Sequence, residues 1–175
     1  MTTGSRKTSE PLLALDVCYS GETAHVAGLT FACWEDAEPI RILESTLHTP
    51  AEYLPGEFYR RELPCLLALI ESFELSPEII VVDGFVYLDG HDRPGLGKRL
   101  FDALGGRTAV IGVAKSPFHA ISPACEVFRG RSSRPLYVTS AGIPLDAAKI
   151  HVARMHGAHR MPTLLKRIDA VSKAF

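Results

Sequence analysis

Three acidic residues stand where the surrounding sequence has little use for charge. Asp16 interrupts the apolar run "LLALDVCY", Asp83 closes "EIIVVDG", and Glu62 in "EYLPGEFYRRELP" comes just ahead of "CLLALI". An ionised carboxylate in an apolar setting is costly unless it is paired, and otherwise its pKa moves. Asp83 falls at the C-terminal end of its strand, and the crevice outside strand C-termini is where open α/β sheets bind ligands. If the strands of Asp16 and Asp83 adjoin, the two carboxylates meet, and Glu62 at the mouth of the intervening helix completes a trio. Converging carboxylates repel one another, and their usual remedy is a hard divalent cation such as Mg²⁺ or Mn²⁺. The chemistry that follows is metal-assisted phosphodiester hydrolysis. Taken singly, each residue also has a structural reading. Asp83-Gly84 is a turn signal, Glu62 suits the positive end of a helix, and Asp16 could pair with a buried lysine.

The elements that must position these residues follow from hydrophobic period and turn residues. "LLALDVCY" (12–19), "AHVAGLTFACW" (24–34) and "PIRILESTL" (39–47) read as strands joined by polar turns, an antiparallel meander. Tyr59, Leu63, Leu66, Leu67, Ile70 and Phe73 then fall at helical spacing, giving a helix up to about Leu75. Pro64 is tolerated in a first turn, which sets Glu62 at the helix entrance. Strands are expected at 78–84 and 108–116, the latter ending near Lys115, with a helix from about Pro94 to Leu104 between them. "EVFRG" reads as a short strand, "PLYVTSAG" (135–142) as the last one, and helical patterns run from Asp146 to about His156 and from Pro162 onward. Strands first, then helices alternating with strands, define an α/β fold whose mixed sheet is antiparallel on one side and parallel on the other. Residues 1–11 read as a polar tail and 12–175 as one domain.

Composition narrows the function classes. With 19 Lys and Arg against 20 Asp and Glu, the net charge of −1 gives no global field for polyanions, so any nucleic-acid site must be local. Arg60-Arg61, Lys98-Arg99 and Arg129, Arg131 and Arg134 form local clusters able to track a phosphate backbone. Cys18, Cys33, Cys65 and Cys125 are far apart, without a CxxC pair, which suits buried thiols in a reducing compartment rather than zinc. No run approaches the ~20 apolar residues of a membrane helix and the start lacks an apolar leader, so a cytoplasmic protein is expected.

Taken in order, "LALDVCYS", "YLPGEFYRRELP", "EIIVVDG", "IGVAKS" and "PLYVTSAG" resemble the endonuclease V family, over nearly the whole chain. These are metal-dependent nucleases of RNase H-like fold that act at deaminated adenine (inosine) in nucleic acids. The resemblance implies Asp16, Glu62 (nine residues after Tyr53) and Asp83 as metal ligands and catalytic residues, and Lys115 as a catalytic cation. It also implies that Tyr53-Leu54-Pro55, with Gly56, is a strand-separating wedge, and that Gly84 and His91 meet the nucleic acid. An aromatic and a stiff proline suit the gap left when a base leaves its stack. The implied function is hydrolysis of a phosphodiester bond near inosine in DNA or RNA, of repair type, with Mg²⁺ or Mn²⁺ and no obligate protein partner. The alternatives are a nuclease of the same fold acting on other DNA or RNA structures, and a nucleic-acid binding protein with weakened catalysis.

Two segments depart from the family's pattern. Its D-G-x-G-x-x-H-P-R stretch is replaced by "DGFVYLDGHDR", with Val86 in place of the second glycine, or that glycine shifted to Gly90, and His91 one position late. Phe85 and Tyr87 would narrow the base pocket or stack on a base. The Gly-His pair expected near the metal after the last strand is replaced by Ala141-Gly142. Asp146, a few residues on, is either a substitute carboxylate or a helix cap, the cap being preferred.

Overall fold

A computed structural model describes residues 11–48 and 59–174. The elements are strands β1 (Leu12–Ser20), β2 (Thr23–Phe31) and β3 (Arg41–His48), helix α1 (Tyr59–Ser72), strand β4 (Ile79–Asp83), helix α2 (Leu96–Ala103) and strand β5 (Ala109–Ala114). A short 3-10 turn (Pro123–Cys125), strands β6 (Glu126–Val127) and β7 (Leu136–Ala141), and helices α3 (Leu145–Arg154) and α4 (Thr163–Ser172) follow. The expected tail falls outside the described residues except for Pro11, and so do Tyr53, Leu54, Pro55 and Gly56.

The first three strands form the expected meander. Ser20 pairs with Thr23 across a tight turn in which Gly21 takes φ +59, the left-handed conformation such hairpins need. The seven strands run in the order β3-β2-β1-β4-β5-β7-β6. β1, β4 and β5 are parallel, while β7 is antiparallel to β5 and β6 to β7. The parallel part therefore lies in the middle of the sheet rather than at one side. A parallel return needs a crossover, usually a helix, and between β5 and β7 the chain forms only a 3-10 turn and the two-residue β6.

Alternation along the central strands divides the core into two faces. Leu13 and Leu15 of β1 pack with Leu66 and Leu69 of α1 and Leu100 of α2. Leu12 and Ala14 point the other way, onto Val152 of α3 and Leu164 and Ile168 of α4. Cover on both faces is why β1, β4 and β5 read as near-continuous apolar runs, and why a charge within them stands out. Pro64 is the sixth residue of α1, in its second turn rather than its first; it lies on the exposed side, and Glu62 does sit in the first turn.

Several polar residues turn out to serve the fold. Arg129, expected among the backbone-tracking cations, is buried and donates to the carbonyls of Ala153, Met155, Gly157, His159 and Arg160, pinning the link between α3 and α4. His151 stacks on Trp34 with centroids 4.6 Å apart, and His156 hydrogen-bonds Thr163 at 2.9 Å. All four cysteines are free; Cys65 and Cys125 are buried as expected, whereas Cys33 is exposed.

Candidate metal and nucleic-acid site

The parallel register of β1 and β4 ends with Leu15 beside Val82, so the next step along both strands sets Asp16 beside Asp83. Alternation sends both side chains to the α4 face. Lys115, one residue beyond β5, follows Val113 onto that face, and its Nζ lies 3.5 Å from Asp83 and 2.8 Å from Asp169 of α4. Lys173, one turn further along α4, holds the other Asp169 oxygen at 2.7 Å. Ser172 donates its hydroxyl to Asp16 Oδ2 at 2.5 Å and is itself fully buried. Glu62 approaches from the opposite face, carried by the first turn of α1 over the end of the sheet.

Asp16, Glu62 and Asp83 thus line one cavity of about 560 Å³, with Tyr59, Arg93 and Arg99 among its other walls. Gly84 also lines it, at φ +128, a conformation that lets the chain turn sharply off β4 and exposes the Asp83 carboxylate. A smaller cavity on the α4 side is lined by Asp16, Asp83, Lys115 and Asp169.

Electrostatics mark Asp16 and Glu62 as strained. Burial, then the fields of Asp16 and Asp83, push Glu62 up to about 8, and Arg61 offsets this only in part. Burial also raises Asp16; the Ser172 bond opposes the rise, and Asp83 and Asp169 add to it. Asp169 behaves in the opposite way: burial works against its charge, but bonds to Lys115 and Lys173 hold it below the usual carboxylate range. Burial likewise works against the Lys115 charge, and the Asp169 bond with the fields of Asp83 and Asp169 more than restores it. Lys115 therefore serves Asp169 and, at 3.5 Å, Asp83, while among the described residues neither Asp16 nor Glu62 has a lysine partner.

The donors are hard oxygens whose repulsion a divalent cation would relieve, so their chemistry fits Mg²⁺ or Mn²⁺. Among the described residues, no three His, Cys, Asp or Glu side chains form a ready-made cage for an ion.

Other expected residues lie elsewhere. His91 is exposed, 3.5 Å from Asp92, and is not part of the cavity wall. Its loop is fixed by the Asp89 carboxylate, which accepts the backbone N–H groups of His91, Asp92 and Arg93. Phe85 lines the cavity, but Tyr87 does not: it bridges to Pro94, while Val86 is fully buried. Asp146 does not cap α3, whose N-cap is Pro144 with no side-chain bond. Nor does it supply a carboxylate to the site. β7 runs antiparallel to β5 and Ala141 pairs with Val110 near the start of β5, so Ala141-Gly142 and the helix that follows begin at the edge opposite Asp83 and Lys115. The missing Gly-His pair falls at that same far edge.

Asp169 and Ser172 escaped sequence reasoning as members of the site, whereas Arg99, expected with Lys98 among the backbone-tracking cations, does line the cavity. In sequence, Asp169 and Lys173 look like an exposed i,i+4 pair on a C-terminal helix. The only available signal was the acid's position one residue beyond Ile168 on the apolar stripe, and its true partner, Lys115, is 54 residues away.

A mixed sheet with helices on both faces and paired carboxylates on its central strands defines an RNase H-like fold. Within that class, the chain belongs to the Endonuclease V family, whose sequence profile matches residues 2–142. The Endonuclease V of Streptomyces coelicolor is 30% identical over 142 residues, covering 70% of this chain and 60% of the relative. The chain thus spans about 60% of the length of the curated relatives it matches. Its fold superposes on the crystal structure of Endonuclease V from Streptomyces avermitilis with a TM-score of 0.75 at 23% identity, covering 93% of this chain and 79% of that one. It also superposes on Ciona intestinalis Endonuclease V in complex with a 24mer DNA containing an inosine followed by a ribo-adenosine. There the TM-score is 0.77 at 16% identity, covering 97% of this chain and 87% of that one.

Proposed function

We propose that the protein is a metal-dependent endonuclease that hydrolyses a phosphodiester bond close to a deaminated adenine in DNA or RNA. The observation that carries this reading is the meeting of Asp16, Glu62 and Asp83 on one cavity wall, where burial, and then repulsion from Asp16 and Asp83, raises Glu62 to about 8. Family membership and the inosine-containing DNA bound to the Ciona relative support the choice of substrate.

Asp16, Glu62 and Asp83 would hold one or more divalent cations, Mg²⁺ or Mn²⁺, which when bound polarise the phosphate and lower the pKa of water. Asp16 is presented in a single orientation by the Ser172 hydroxyl. Asp83 keeps a solvent-facing carboxylate at the strand end, and Glu62 closes the acidic wall from α1. Lys115, held between Asp83 and Asp169, supplies a fixed positive charge beside the carboxylates, where negative charge develops on a phosphate under attack. Tyr53, Leu54, Pro55 and Gly56 are proposed as the wedge on the family resemblance, and Gly84 as a close backbone approach to the base. His91 is left as an outer contact to the strand. The four free thiols suit a reducing, cytoplasmic setting, and among the described residues no helix is long and apolar enough to cross a membrane.

Comparing end-labelled strands with and without a single inosine, as DNA and as RNA in Mg²⁺ or Mn²⁺, tests the reading. Cleavage confined to inosine strands and lost in Asp16→Asn is expected. Equal cleavage of matched unmodified strands would shift the assignment to a nuclease of other nucleic-acid structures, and binding without cleavage would reduce it to a binding protein.

A further inference from the structure

The acidic wall faces a nearly empty-handed cation across the cavity. Arg99, on α2, lays its guanidinium over the Tyr59 ring, with Cζ 3.6 Å from the centroid. Its Nε is shut off from solvent and has no hydrogen-bond partner, and among the described residues no carboxylate pairs with it. Its neighbour on α2 is committed: Lys98 pairs with Asp102 at 2.5 Å. The side chain as a whole is half-buried and lines the cavity, so a guanidinium that no protein carboxylate neutralises is within reach of an anion that enters.

Resting on the nuclease reading above, we propose that Arg99 is a phosphate-binding residue that takes the phosphodiester next to the one presented to Asp16, Glu62 and Asp83. Tyr59 and Glu62 are three residues apart on α1, so they share a face and are separated by roughly one helical turn. The stack on Tyr59 therefore holds the guanidinium on the wall of the cavity that the acidic trio also lines. A flat ring beneath the fork fixes its plane before any ligand arrives, so little side-chain entropy is left to lose when two phosphate oxygens are gripped. A cation is needed at this point because a polyanionic strand must come up to three carboxylates. The cavity's cationic side chains are Arg93 and Arg99, and Arg93 is turned toward Phe118, 5.6 Å from that ring. Arg99 touches the strand rather than the bond that breaks, so it sets position and affinity.

The test is a phosphate-by-phosphate scan. Single-stranded inosine DNA with one phosphate at a time replaced by a neutral methylphosphonate is titrated by fluorescence anisotropy, in Ca²⁺ so that the strand stays intact. The whole protein, Arg99→Met and Arg99→Lys are compared. The unaltered protein should lose about five- to tenfold in affinity at one methylphosphonate close to the inosine. Arg99→Met should bind the all-phosphate strand weaker by the same factor, be indifferent to that one replacement, and show a salt slope smaller by about 0.7. Arg99→Lys should keep the slope. If Arg99→Met still loses the full factor at every position while the unaltered protein binds and cuts, the phosphate assignment falls and the nuclease reading survives. If the unaltered protein binds no strand, both fall. Should Arg99→Met fail to fold, a scan of the unaltered protein with no sensitive position near the inosine overturns the proposal by itself.

Discussion

Replacing Glu62 by Gln isolates the electrostatic strain of the site. In the folded, metal-free protein Glu62 is held near 8 against an ordinary value of 4.5, chiefly by burial and then by Asp16 and Asp83. Because the folded value is the higher one, folding favours the protonated acid. The stability this confers is complete below pH 4.5 and is lost as pH rises through about 8. At about 1.4 kcal/mol per pH unit, full ionisation would cost up to about 5 kcal/mol, and solvent entry into an open cavity brings this to roughly 3 kcal/mol. Glutamine keeps the shape and cannot ionise. In EDTA, wild type and Glu62→Gln should therefore melt together at pH 4.5 and diverge above it, the variant being more stable by about 6–12 °C at pH 9 for a domain of this size. Saturating Mg²⁺ should reverse the order at pH 8, because only the wild type has the third carboxylate to neutralise. Parallel melting curves from pH 4.5 to 9 would show that Glu62 is not strained by its neighbours, and the acidic wall would lose its rationale.

Arg129→Met should cost about 3–5 kcal/mol in urea unfolding, since five buried carbonyls lose their shared donor. Gly112→Ala would bring a Cβ within 2.6 Å of the Gly84 carbonyl and 2.8 Å of the Val86 nitrogen. It should lose about 1–3 kcal/mol in the same assay and displace Asp83, lowering cleavage more than tenfold. Ser172→Ala removes the donor that opposes the rise in the Asp16 pKa, so single-turnover cleavage should shift its acidic limb to higher pH. Asp146→Asn, at the far edge, should leave the cleavage rate within about twofold of wild type.

Particular residues explain what the sequence made legible. Asp16 and Asp83 stood out because strands covered on both faces exclude charge, and each breaks an apolar run whose length and bounding turns were clear. Glu62 was placed correctly at the helix entrance even though Pro64 proved to lie a turn deeper. Asp169 and Ser172 stayed hidden because their meaning rests on contacts 54 and 156 residues away, set by how α4 lies across the sheet. The antiparallel return of β7 was equally invisible, since strand direction leaves no mark in a six-residue strand, and it alone moved Asp146 and Ala141-Gly142 away from the site. Arg129 looked like a surface cation among "FRGRSSRP" because composition does not reveal that a guanidinium is surrounded by carbonyls.

The central claim, that Asp16, Glu62 and Asp83 act together as a divalent-cation site, is tested most directly by calorimetric titration of the metal-free protein with Mn²⁺, beside Asp83→Asn. Saturable binding that releases protons at pH 7, as Glu62 ionises, and that is lost or weakened at least tenfold in Asp83→Asn, is the expected result. Binding of equal strength in both proteins, or no binding to either, would contradict it.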